Sequence, residues 1–153
     1  MTAEERLREL GIELPPAPKP VGAYVPAVRT GNLLFISGQL PLQDGKLLAT
    51  GHVSGEVSVE QAQACMKQAA LNALAVVAAE LGGLSKVARV VRLTGHISSD
   101  RGFTDQAKVL NAASDLMVQA FGEAGRHSRA ALGAADLPLG SPVELEMIVE
   151  VTG

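Results

Sequence analysis

The sequence contains no tryptophan, one tyrosine and three phenylalanines among its 153 residues. A core without aromatic plugs must be filled by alanine, leucine and valine, and such small side chains imply close approach of helix to sheet. The single cysteine, Cys65, excludes an internal disulfide framework and a cysteine-rich zinc site. Neither sign of charge dominates: 13 basic and 16 acidic residues give a net charge of −3, and the basic ones are scattered. That pattern lacks the electrostatic footprint of a nucleic-acid binder, and no aromatic–basic interleaving offers a stacking platform. No uninterrupted apolar run approaches the length of a membrane span, and the first ten residues hold no secretory h-region. The expectation is a soluble cytoplasmic protein that engages neither nucleic acid nor membrane.

What is present fits one domain. Hydrophobic residues make up 47% of the chain and charged ones 19%, with a mean hydropathy of +0.22, which argues against disorder. So apolar a surface favours burial between subunits. Thr2 and Glu5 form a capping box for a short helix ended by Gly11, and the prolines at 15, 16, 18 and 20 force an extended passage across the surface. Leu33-Leu34-Phe35-Ile36-Ser37-Gly38 reads as a buried strand introduced by a Gly31-Asn32 turn. Gln43-Asp44-Gly45-Lys46 reads as a hairpin turn before a weak strand at 47–49.

Ser58 and Gln61 form a second capping box, opening a helix that stops at Gly82-Gly83 and carries its apolar stripe on Ala62, Cys65, Met66, Ala69, Ala73, Val76 and Val77. Residues 87–97 read as a central strand interrupted at Gly95. A second long helix is expected from 103 or 104 to 121, with Val109, Leu110, Ala113, Leu116, Met117 and Ala120 inward. Two more strands follow within residues 129–150, joined by a Pro/Gly turn. The order predicts an α+β fold, a single sheet backed by two helices.

Nucleophile-elbow, phosphate-loop, dinucleotide and zinc-protease motifs are all absent, and His52, His96 and His127 show no paired ligand spacing, so no metal site is expected. Cys65 lies on an apolar helical stripe, where burial accounts for it. The suggestive chemistry is in residues 129–150. Arg129 opens one strand among apolar neighbours, and Glu144, Glu146 and Glu150 alternate along the next. A fixed guanidinium grips a carboxylate through two parallel hydrogen bonds, and a glutamate on a paired strand could handle protons beside it. An edge arginine paired to a surface acid, and a solvated strand face, account for the same residues without chemistry. His127, close to Arg129, is a further pocket candidate.

The block Arg129…Leu137-Pro138-Leu139-Gly140…Val143-Glu144-Leu145-Glu146 resembles the C-terminal signature of the Rid/YjgF family, the reactive intermediate deaminases. Gly22-Ala23-Tyr24-Val25-Pro26-Ala27-Val28 and Gly31-Asn32-Leu33-Leu34-Phe35-Ile36-Ser37-Gly38-Gln39-Leu40-Pro41 are similar to the family's N-terminal loop and its Ser-Gly-Gln-hydrophobic-Pro motif. Asn111 matches the family's helical asparagine. The resemblance runs from about Pro18 to the C-terminus, which separates an N-terminal helix and Pro-rich extension (1–17) from a Rid/YjgF-like domain (18–153). It implies a chorismate-mutase-like fold and a homotrimer with three clefts between subunits. It also implies hydrolysis of enamine and imine acids, such as 2-aminoacrylate and 2-iminopropanoate, to 2-keto acids and ammonia without metal or organic cofactor. The alternative is a non-catalytic trimer that binds keto or amino acids in the same cleft.

By the same resemblance Arg129 holds the substrate carboxylate and Glu144 positions or activates water. Tyr24 lines the cleft, Gly38 offers backbone hydrogen bonds, Asn111 supports the site, and Glu146 is a supporting candidate sharing the sheet face of the other two. Two departures stand out. Ala131 occupies a position where the family commonly has cysteine, and Arg126-His127-Ser128 replaces an aromatic-Pro pattern, implying a more polar rim and a divergent branch. RNA cleavage, a label this family sometimes carries, is disfavoured by the acidic pI near 5.6 and the absence of a nuclease-like histidine pair.

Overall fold

In a computed structural model, which describes residues 1–20 and 22–153, both capping boxes form and place two of the three helices. Thr2 and Glu5 exchange hydrogen bonds of 3.0 and 3.1 Å at the start of α1 (Ala3–Glu9). Ser58 and Gln61 do the same at 2.9 and 3.1 Å before α2 (Val59–Leu81), which ends where Gly82 turns left-handed. By length and composition α2 could cross a membrane, but here its expected apolar stripe is buried in the core. The third helix, α3 (Gln106–Phe121), starts later than the sequence suggested, because Phe103 is held in a turn by its N–H to the carbonyl of Asp100. All six of its expected inward residues are buried.

Among the described residues seven strands form: β1 (Ala27–Thr30), β2 (Leu33–Gln39), β3 (Leu42–Gln43), β4 (Lys46–Leu47), β5 (Val87–Ser98), β6 (Ser128–Ala134) and β7 (Val143–Val151). The hairpin β3–β4 turns on Asp44 and Gly45, both at positive φ, as the turn motif predicts. The weak strand expected at 47–49 is thereby shorter and earlier. The other five strands make one mixed sheet in the order β1-β2-β7-β5-β6, with only the β5–β6 pair parallel. β1 had no signature of its own in the sequence; it is a four-residue edge strand pairing Val28 with Phe35.

Two expectations need correction. The strands carrying Arg129 and Glu144 are not paired, because β5 lies between β6 and β7 and the chain crosses over it through a 3-10 turn at Pro138–Gly140. Gly95 does not interrupt β5; it pairs with both Ala131 and Leu145. A methyl there would stand 2.7 Å from Leu110 Cδ1, so the glycine is what lets α3 lie against the strand.

Helices α2 and α3 cover one face of the sheet. Leu34, Ile36, Leu93, Ile97, Leu145, Met147 and Val149 point into that layer and are buried. The run at 33–38, which reads as buried throughout, alternates instead, with Leu34 and Ile36 inward and Phe35 outward. The opposite face carries Val28, Phe35 and Ile148 in one row across β1, β2 and β7, beside a groove of about 380 Å³. The N-terminal segment lies against the helices, with Leu7 buried and the Glu4 carboxylate accepting the Leu84 N–H at 2.5 Å.

Candidate functional site

Arg129 sits on the edge strand β6 in register with the buried Leu93, so it faces the helices. Its Nη1 donates to Ser114 Oγ at 3.0 Å and its Nη2 to the Ala107 carbonyl at 3.4 Å. Asn111 lies between those two positions, one turn from each along the same side of α3, and is exposed. His127 completes the cluster: Nε2 is 2.9 Å from Ser114 Oγ and Nδ1 is 2.7 Å from the Gly125 carbonyl. Among the described residues Arg129 forms no ion pair; its partners are a hydroxyl and a carbonyl. The reading of an edge arginine tied to a surface acid is therefore not what the structure has.

Glu144 faces the other way. Its neighbours Val143 and Leu145 are buried toward the helices, which turns Glu144 to the uncovered face, opposite His96 on β5. Its carboxylate lies over Gly38, so close that an added methyl would meet it, and the glycine makes that seat. Burial raises the Glu144 carboxyl above the ordinary carboxylate value; His96 works against this and Glu146 adds to it. Glu146 shares this face and bonds His96 at 2.6 Å. It shares no face with Arg129, contrary to expectation. Tyr24 and Gly38 line one small cleft with Pro26 and Leu139.

The sequence-derived residues thus fall into two groups, Arg129, Asn111 and His127 at one edge, Glu144, Gly38 and Tyr24 at the other end. Two strands and three residues of register separate Arg129 from Glu144, roughly 14 Å at ordinary sheet spacings. With side chains on opposite faces as well, one small molecule cannot touch both within a single chain. Ser114 went unnoticed in the sequence, since a helical serine has no signature. The available clue was its place three residues after Asn111, on the face where Arg129 lies.

Cys65 is buried, and its thiol is pushed up to about 11, in keeping with a packing role. His52 lies away from both groups, bridging Glu56 at 3.1 Å, the Ala135 carbonyl at 2.8 Å and Asp136 at 3.0 Å.

One mixed sheet with two helices on a single face is the architecture of a chorismate-mutase-like α+β domain. Comparison with known proteins makes this specific. The sequence pattern of the family described as "YjgF/chorismate mutase-like, putative endoribonuclease" matches residues 4–151, and the chain belongs to that family. It is 42% identical over 146 residues to Protein TCP17 of Trypanosoma cruzi, covering 95% of this chain and 91% of that one. It is 33% identical over 140 residues to a Dermatophagoides farinae protein named 2-iminobutanoate/2-iminopropanoate deaminase, covering 92% and 94%. The crystal structure of an Agrobacterium tumefaciens protein of unknown function superposes with a TM-score of 0.90 at 46% identity, over 98% of this chain and 92% of that one.

Proposed function

We propose that this protein hydrolyses small 2-imino and enamine acids to 2-keto acids and ammonia, in clefts that form between copies of the chain. The observation that carries the reading is Arg129, a half-buried guanidinium held by neutral acceptors and by no acid among the described residues. A substrate carboxylate supplies the missing anion. The imine carbon is already electrophilic, so the protein has to orient it and move protons. An enamine first takes a proton on carbon to become the imine. Water then adds to the C=N carbon while Glu144 takes its proton and passes it to the nitrogen. The carbinolamine hydroxyl gives its proton through Glu144 to the nitrogen as the C–N bond breaks, so that C=O forms and ammonia leaves with the bonding pair. A carboxylate with its pKa raised by burial suits both steps. The chemistry calls on no metal or cofactor.

Arg129 and Glu144 can meet at one substrate when a second copy presents its Glu144 end to the β6 edge. The uncovered sheet face supports such an assembly. Val28, Phe35 and Leu132 remain 54%, 40% and 48% exposed on a sheet clothed on one side. The trimer of the family resemblance is the arrangement we propose.

The test generates 2-iminopropanoate in situ and follows pyruvate and ammonia release above the spontaneous rate. Arg129→Ala should lose roughly 3–4 kcal/mol of transition-state stabilisation, about 10²–10³-fold in kcat/KM. Glu144→Gln should also be impaired. Unfolding and refolding the two variants together should restore about a quarter of wild-type activity, because random assembly of a ring pairs an intact arginine with an intact glutamate at that frequency. Equal rates for wild type and Arg129→Ala refute the reading. Saturable pyruvate binding without turnover of any imino acid assigns the cleft to metabolite binding instead.

A further inference from the structure

We infer that Ser114 and His127 are positioning residues that hold the Arg129 guanidinium in one orientation through a hydrogen-bond chain whose direction is fixed. The inference rests on the assignment of Arg129 as a carboxylate anchor and adds two residues that act through it.

The direction follows from what each group can do. The Gly125 carbonyl accepts only, so His127 Nδ1, 2.7 Å away, carries a hydrogen. In the neutral imidazole Nε2 is then an acceptor, and the Ser114 hydroxyl 2.9 Å from it donates. Arginine has no acceptor, so Arg129 Nη1 donates to the remaining lone-pair side of Ser114 Oγ at 3.0 Å. With His127 neutral, the chain runs from Arg129 to Ser114 to His127 to the Gly125 backbone. The last link is a carbonyl in the 3-10 turn Gly122–Gly125, so the arginine is braced against backbone.

An arginine on an edge strand has a long side chain with many rotamers, and fixing it on ligand binding would cost affinity. Here the cost is met on folding. Of the five guanidinium N–H donors, Ser114 and Ala107 take two, leaving three for a ligand carboxylate.

The Ser114–His127 spacing also resembles an activated nucleophile and its base. Two features speak against that role. The serine oxygen already accepts from Arg129, and the backbone N–H groups around it are consumed within α3, so no donor pair awaits an oxyanion.

The experiment measures pyruvate affinity by calorimetry beside kcat and KM on 2-iminopropanoate. Ser114→Ala should weaken pyruvate binding and raise KM about tenfold with kcat within threefold of wild type. Ser114→Thr, which keeps the hydroxyl, should restore affinity to within about threefold. His127→Phe should weaken binding about threefold, and the Ser114→Ala/His127→Phe double variant should be no weaker than Ser114→Ala alone, as expected of residues acting in series. Unchanged affinity in Ser114→Ala overturns the inference, as do additive losses in the double variant. Collapse of kcat with affinity unchanged assigns Ser114 as a nucleophile instead. Because pyruvate binding is read without turnover, a protein that binds pyruvate through Arg129 but hydrolyses no imine fails the proposed activity while still testing this chain. A wild-type protein that binds no pyruvate overturns both.

Discussion

At the β6 edge Arg129 is positioned by direct polar bonds to Ser114 and Ala107, whereas at the β2–β7 end Glu144 is positioned by what is missing beneath it, the side chain of Gly38. The charge of the arginine is left unanswered; the charge of the glutamate is disfavoured by burial. On the proposed reading, one end of the cleft binds an anion and the other exchanges a proton, and the contrast teaches that different physics shapes each end. Hydrogen bonds fix direction, which an anchor needs. Desolvation shifts a proton equilibrium, which an acid–base group needs.

On the proposed assembly the two ends are joined through the uncovered face, so breaking that face should have the largest effect. Phe35→Lys would bury an unpaired charge in the proposed contact. We expect monomers by light scattering and deaminase activity reduced more than about 100-fold, with the monomer's circular dichroism unchanged. Trimers of full activity would show that the halves meet some other way. Gly38→Ala addresses the glutamate end alone. Its methyl displaces the flexible tip of Glu144 rather than backbone, so the thermal midpoint should hardly move while kcat falls about tenfold with KM preserved. A rise in KM instead would place Gly38 with the anchor.

His52 supplies a control outside both ends. Its bonds to Glu56, Asp136 and the Ala135 carbonyl raise it from 6.5 to about 9. A raised folded-state value means that its contribution to stability is fully present below pH 6.5 and disappears as pH climbs through about 9. His52→Ala should lower the thermal midpoint at pH 6, with the gap closing as pH climbs through about 9, and leave activity alone. A gap that widens with pH would contradict the ion-pair account.

The helices were legible because their signals are local. Two capping boxes, a terminal glycine pair and two apolar stripes all lie within a few turns of what they specify. Family membership was legible too, from motifs at residues 22–41, 111 and 129–146 taken in order. Strand order was not. The placement of β5 between β6 and β7 is a long-range outcome, and no residue near Arg129 or Glu144 announces it. Reading their strands as paired followed from adjacency in sequence and put the two side chains together on one face, where they are not. β1 was hidden because Ala-Val-Arg-Thr is short and mostly exposed. Gly95 was misread because a glycine that breaks a strand and one that seats a helix look alike until Leu110 is in place.

A sheet dressed on one side has one more consequence. On the proposed reading, each cleft exists only while copies remain associated, so catalysis obeys mass action in the protein itself. Specific activity would then fall on dilution below the dissociation constant of the assembly and recover on concentration. Cellular abundance would set not just how much catalyst is present but whether any given molecule is a catalyst at all.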